Sequence, residues 1–381
     1  MTVLLSVSML VGCAKSTPRA APTWVPQQQV PPVPLPTPVP DDGGGSSQPP
    51  SSGSTGGSTS GGPSQDSAVV ATNLKAPTGL AVLPDGSALV GERTTGRIVQ
   101  VQPEPGKPVR VVRTITGLNT AGGGGLLDIA LSGSFTEDGL IIALITTKAD
   151  TRVVHFTMTG PVTPVLVGIP RGTSDNGGRL LVLGDGSILV GTSDAGKPSL
   201  AGNAASKAGK VLHIDEIGHP APGNPNPKSP VYTSGHRTVE GLCFDGLHQR
   251  VLETEDGSSG ELNQLAAGDD YGWPNRAGQD PIAPIPDGPG VGGCALIDAA
   301  VFVASLGGKD LLQAQIDAQG KVGAFTPMLN GKYGRIRTVV AAPDKSLWLT
   351  TSNRDGQGKP AAADERVLHI APSGGGGGGP A

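Results

Sequence analysis

From Val69 to His369 the apolar residues fall in short runs, each broken by a turn that carries Asp and Gly or an equivalent polar residue. The passages "GLAVLPDGSALVGER", "LDIALSGSFTEDGLIIALIT", "RLLVLGDGSILVGTSD", "GLCFDGLHQRVLETED", "CALIDAAVFVASL" and "RTVVAAPDKSLWLTTS" each read as strand, turn and strand. Their turns lie near Asp85, Thr136, Asp185, Asp245, Asp298 and Asp344. The spacing is about fifty residues, the longer end of the range for a four-stranded propeller blade. No long stretch carries helical periodicity. The pattern predicts an all-β fold, a six-bladed β-propeller of four-stranded antiparallel blades over 69–371. A stacked pair of sandwiches accounts poorly for the even spacing.

One run breaks the pattern. In "YGRIRTVVAAPDKSLWLTTSN" a buried-looking strand opens with Arg335 and Arg337 on either side of Ile336. Alternate residues of an extended chain share a face, so the two guanidinium groups repel unless an anion sits between them.

Outside the repeats the composition changes. "MTVLLSVSMLVGC" is a short apolar run ending in Gly12-Cys13, which reads as a lipoprotein signal over 1–13 with Cys13 as the lipidated residue. No Lys or Arg precedes the run, so the true translation start is expected further upstream. Residues 14–68 are Pro-rich and then Gly/Ser-rich, too poor in apolar surface to fold, and suit a spacer between a membrane and a domain. The Gly-rich 372–381 reads as a second loose tail. No other stretch approaches transmembrane length. These features predict a domain tethered through its lipid on the extracytoplasmic face of the cell membrane. The net charge of -4 with no basic patch argues against nucleic acid. Aromatic residues are only 3% of the chain, so Val, Leu, Ile and Ala must build the core. Cys243 and Cys294 remain as an even pair, which in an oxidising compartment suggests a disulfide, the alternative being two separate buried thiols.

Seven segments, in order, resemble the glucose/sorbosone dehydrogenase family: "LKAPTGLAVLPDGSALVGER", "GGGGLLDIALSGSFTEDG", "NGGRLLVLGDGSILVGTSDAG", "AGKVLHID", "SPVYTSGHRTVEGL", "GELNQLAAGDDYGWP" and "GRIRTVVAAPD". The lipoprotein leader and the Cys pair further suggest an actinobacterial lipoprotein branch. The resemblance implies a soluble-type aldose dehydrogenase that uses pyrroloquinoline quinone (PQQ) and Ca²⁺ to oxidise a small sugar. A monomer is expected. It also implies that Arg237, Arg335 and Arg337 hold the carboxylates of the quinone, a task that suits the planar fork of guanidinium. Each could instead pair with a structural acid lining the channel.

The departures bear on activity. The family's general base, a His two residues before the Gly-Gly of the third-blade motif, is Asp175 here. A carboxylate serves as base only where its surroundings favour the proton, and an Asp before Gly177 otherwise caps a turn. The family's Asn after the fourth-blade Arg is Thr238, its Asp after the last-blade pair is Thr338, and its fifth-blade Lys falls at Gly307, with Lys309 two positions later. The turn that offers carbonyls to the cofactor calcium reads Glu255-Asp256-Gly257-Ser258, so Gly257 and Ser258 are the candidate carbonyl ligands. Glu261 and the carbonyl of Tyr271 match the family's second calcium site, with Asp269 and Asp270 near enough to add oxygens. His236 is expected to hydrogen-bond the backbone of a neighbouring blade, and Glu92 and Asp194 to be interblade structural acids. No catalytic triad order, P-loop or zinc spacing is present. Two readings follow: a tethered quinone-dependent sugar dehydrogenase, or a catalytically degenerate propeller that binds a carbohydrate, an envelope component or a protein.

Overall fold

The computed structural model describes residues 66–371 apart from 257–259, 275–276 and 287–289. The leader with Cys13, most of the spacer, the terminal tail and the candidate ligands Gly257 and Ser258 therefore lie outside the described residues. Six four-stranded antiparallel sheets form a ring. Blade 1 comprises Pro77–Val82, Ala88–Glu92, Arg97–Val101 and Arg110–Thr114. The innermost strands of blades 2 to 6 are Leu126–Leu131, Gly178–Val182, Val239–Asp245, Val291–Ile297 and Ile336–Ala341. Each touches the next around the axis, and the sixth returns to the first. The ring is closed by the chain's beginning: Val69–Ala71 is the outermost strand of blade 6, paired with Val367–Ile370.

The six repeated passages are the inner hairpins of the six blades. Three of their turns share one chemistry. Asp85, Asp185 and Asp344 each accept hydrogen bonds from the N–H and the hydroxyl of a Ser two residues on, at 2.6–3.0 Å. A short side chain that satisfies the turn's own donors fixes the hairpin locally. The second strands are covered on both sides; Ala88–Glu92 and Ile141–Thr146 are buried along their whole length.

Apolar clusters lie between blades. Leu89 and Ile98 of blade 1 pack with Ile141 and Phe156 of blade 2, while Trp348 of blade 6 packs with Leu80 and Val90 of blade 1. A Cβ on Gly79 would stand 2.6 Å from the Ile129 nitrogen, so at the axis two backbones meet with no room for a side chain. Cys243 and Cys294 are disulfide-bonded across the inner strands of blades 4 and 5, with Cα atoms 5.8 Å apart.

Candidate active site at the axial mouth

In every blade the start of the inner strand pairs with the end of the second strand: Pro77 with Glu92, Gly178 with Thr192, Val239 with Glu255 and Ile336 with Thr351. The segments around Arg93, Asp175, Ser193, Arg237, Arg335 and Asp355 therefore gather at one mouth of the ring, while the Asp-Ser turns lie at the other. Topology thus brings distant parts of the sequence together.

A cavity of about 350 Å³ opens at this mouth between blades 1 and 6, within the size range of small-molecule sites. Four cations line it, Lys75, Arg93, Arg337 and Arg354, against two carboxylates, Asp355 and Glu365. Glu365 is buried and spent on the structure, accepting from Thr351 Oγ1 at 2.7 Å and from the Asn353 N–H at 2.8 Å. Arg93 donates to the Gly124 carbonyl at 3.1 Å. Burial, and then the neighbouring Arg337 charge, press its guanidinium below its ordinary pKa.

The three arginines named from the sequence reach this end of the ring but are held differently. Arg335 is enclosed: its Nε and Nη2 grip Asp355 at 2.9 Å each and its Nη1 donates to the Leu306 carbonyl at 3.0 Å. Arg337 pairs with Glu240 at 3.2 Å, and 24% of its side chain is exposed. So the two last-blade arginines each have their own carboxylate rather than one anion between them. Arg237 is the most open, with 36% of its side chain exposed; its guanidinium lies 3.9 Å from Asp175 and 5.6 Å above the Trp273 ring. Its backbone N–H donates to Glu255.

Asp175 sits in the left-handed region at φ +50°. Its carbonyl accepts from Ser193 Oγ and its carboxylate from Ser174 Oγ at 2.7 Å. The adjacent Asn176 is buried and ties the loop to blade 2, its amide donating to the carbonyls of Gly122 and Gly172 at 2.9 and 3.0 Å. The carboxylate at the base's position is thus on a braced loop. Thr238 is buried against Gly177, and Thr338 donates to the Thr78 carbonyl at 2.6 Å. Lys309 is exposed in a left-handed turn and does not line the cavity.

Of the residues named for a second calcium, Tyr271 lies against His236 and Glu261 feels the charge of Glu255. The Tyr271 ring stacks on the imidazole at 4.7 Å between centroids. Glu261 is half-buried, and burial followed by the Glu255 charge raises its carboxyl pKa, against a hydrogen bond from Asn263. His236 bonds the neighbouring blade through a side chain rather than the backbone, Nδ1 to Glu255 at 3.0 Å. Asp194 does bridge blades, accepting from Trp273 Nε1 at 2.8 Å. Glu92 works inside its own blade, gripping Arg97 at 2.7 and 2.9 Å.

The sequence reading missed a charged layer beneath the mouth. Arg179 crosses the axis, donating to the Glu240 carbonyl at 2.7 Å and the Thr78 carbonyl at 3.1 Å, 3.9 Å from Asp128. These residues lie inside runs that read as ordinary strand, and only the closure of the ring sets them on the axis. Below them the channel widens into a second cavity of about 480 Å³ with largely apolar walls.

A closed ring of six antiparallel blades with a cation-rich pocket at one axial mouth defines the class: a six-bladed β-propeller with a candidate small-molecule pocket there. The family is then decided by comparison. The glucose/sorbosone dehydrogenase profile matches residues 74–286 and 294–359, and the chain belongs to that family. It is 36% identical to the PQQ-bound aldose sugar dehydrogenase of Streptomyces coelicolor, with TM-score 0.74, covering 80% of this chain and 96% of that one. It is 31% identical to quinoprotein glucose dehydrogenase B of Acinetobacter calcoaceticus, over 56% of this chain and 53% of that one. An uncharacterised protein of Synechocystis is 29% identical over 77% of this chain and 86% of its own length.

Proposed function

We propose that this protein is a PQQ-dependent aldose dehydrogenase that works outside the cytoplasmic membrane, tethered through Cys13. The observation that carries the reading is the cavity at the axial mouth, where four cations face two carboxylates, Glu365 spent on the fold and Asp355 gripped by Arg335. Arg93 and Arg337 repel one another there, and an anion between them relieves both. A rigid ligand with several carboxylates meets that requirement. Arg237 and Arg337 would hold its carboxylates, Thr238 would support the mouth behind Arg237, and the enclosed Arg335 would frame the wall. The carbonyls of Gly257 and Ser258 remain the candidates for the cofactor's Ca²⁺, which takes six to eight oxygens.

Held there by Arg237 and Arg337, a bound quinone would supply the hydride acceptor for the anomeric carbon of a sugar. Asp175, which stands at the position of the family's base, would take the proton of the anomeric hydroxyl. The apolar leader and Pro/Gly/Ser-rich spacer support the tether, and the Cys243–Cys294 bridge accords with an oxidising compartment. A second reading, a propeller that binds a carbohydrate or envelope component without turnover, is favoured by two observations: a carboxylate stands where the family's imidazole acts, and Arg337 is already paired with Glu240.

Adding PQQ and Ca²⁺ to the purified apo-protein separates the readings. The expected result is a shift in quinone absorbance together with dye reduction by aldoses. Asp175→Asn should then lower kcat by about 10²-fold or more with quinone binding unchanged. Quinone binding without reduction leaves the binder, and no binding removes the quinone reading altogether.

A further inference from the structure

Behind Arg237 three ligating side chains meet in the interior, one of them Glu255, which opens the turn named for the cofactor calcium. His236, Glu253 and Glu255 are all buried, and Nδ1 of the first and one oxygen of each acid lie within 4.8 Å of one another. Nδ1 is 3.0 Å from Glu255 Oε2 and 3.9 Å from Glu253 Oε1. Ligands at zinc bond lengths of about 2.1 Å on a tetrahedron stand about 3.4 Å apart, between those two values.

The surroundings are arranged as a metal site's would be. His236 Nε2 is 2.8 Å from Thr233 Oγ1 and Nδ1 is 3.0 Å from Glu255, so an ion that displaces the Nδ1 proton would find the ring oriented by an Nε2–H donating to the hydroxyl. Glu255 Oε1 is taken by the Arg237 N–H, and Glu253 Oε2 by the Asn263 amide at 3.0 Å. That leaves Glu253 Oε1 buried with no hydrogen-bond partner, although its residue has no exposed surface. The Asn263 amide oxygen is buried and unpartnered as well. Two acids so close, with a third carboxylate at Glu261 acting on Glu253, form an excess of negative charge in a dry interior. Such a group needs a compensating cation or proton. One divalent ion balances two carboxylates, and a set that includes imidazole suits zinc-like ions over Ca²⁺ or Mg²⁺.

We propose that His236, Glu253 and Glu255 form a buried site for a divalent first-row metal ion of the zinc class. The ion would fix the Glu255 carboxylate that anchors the Arg237 backbone, bracing the mouth from behind. The site stands whether or not the protein oxidises sugars.

The test uses the tag-free full chain, produced with Zn²⁺ in the medium and desalted, with metal content read by plasma mass spectrometry. About one zinc per chain is expected, bound through nitrogen and oxygen in zinc-edge X-ray absorption. Glu253→Gln, which keeps shape and removes one anionic ligand, should lower zinc affinity by about 10²-fold or more while circular dichroism stays unchanged. Should that variant fail to fold, the wild-type absorption spectrum still decides through its ligand shell. Absence of zinc from the wild type, before and after incubation with it, overturns the proposal. So does zinc retained equally by Glu253→Gln, or a protonated-carboxyl infrared band in the wild type that is lost in Glu253→Gln and indifferent to zinc.

Discussion

At the scale of single residues, two buried acids respond to pH in opposite directions. Burial pushes the Glu92 carboxyl up, but hydrogen bonds from Arg97, Thr95 and the Lys75 N–H outweigh it and hold it below the usual glutamate range. A carboxyl lowered on folding contributes stability that is present above its unfolded value and lost as pH falls through the folded one. Glu92→Gln should therefore cost about 1–3 kcal/mol at neutral pH. Denaturant melts should show the gap between variant and wild type closing below about pH 4, near the unfolded glutamate value. Asp128 is the reverse case, lifted to about 6 by burial against the pull of Arg179 and the N–H groups of Leu180 and Ile129. Between the unfolded value and 6 the folded state binds the extra proton, so stability falls as pH rises through that window. The loss is at most about 3 kcal/mol. In Asp128→Asn that slope should vanish from a pH series of urea midpoints, whatever the variant's absolute stability. A slope that survives assigns the titration to another group.

At the scale of elements, the inner strands are close enough that the absence of a side chain is itself structural. Gly79 lies in an extended strand with no call for a left-handed backbone, yet its Cβ would meet the Ile129 nitrogen and the Asp128 backbone at 2.6–3.0 Å. Gly79→Ala should cost about 1–3 kcal/mol by overpacking and lower Tm by several degrees; an unchanged Tm would mean that the inner strands can move apart freely. The same proximity explains what was legible in the sequence. Three of the inner hairpins declared themselves most plainly because their Asp-Ser turns are fixed by neighbours two residues away. The outer strands did not, because strands such as Arg110–Thr114 and Thr163–Ile169 are largely exposed and their side chains carry no alternation. The site divides along the same line. Arg237, Arg335 and Arg337 were legible through resemblance in local motifs. Arg93, Arg179 and Glu240 were not, because they acquire meaning only from partners on other blades, the Thr78 carbonyl that Arg179 reaches lying 101 residues away. His236 was seen, but Glu253, two positions before Glu255 on one strand face, looked like any polar strand residue.

At the scale of the molecule, a ring has to be closed, and this one is closed twice. The Cys243–Cys294 bridge joins blades 4 and 5 covalently across 51 residues, worth about 4 kcal/mol on the loop-entropy account. Blade 6 has no such bond. It relies on Val69–Ala71 to complete its sheet, with the Ala68 carbonyl accepting from the His369 N–H at 2.9 Å and Asp66 accepting from Tyr333 Oη at 2.9 Å. Val70, Ala71 and Leu74 are buried against Trp348 and Val367. Removing the strand exposes that surface and leaves Val367–Ile370 with an open edge, the kind of template that recruits another chain. A chain beginning at Thr72 should be less stable than one beginning at Asp66 by about 3 kcal/mol or more, from the lost Val burial and backbone pairing. Its loss should be felt first in blades 6 and 1, as faster amide exchange in Leu347–Thr351 and Ala88–Glu92, with the disulfide-linked blades 4 and 5 exchanging last. Adding the peptide 66–76 in trans should raise Tm with the logarithm of its concentration above its Kd, because it binds only the folded ring. Equal melting of the two chains would show that the ring holds without its closing strand, and the mouth that blades 1 and 6 share would then owe its shape to the inner strands alone.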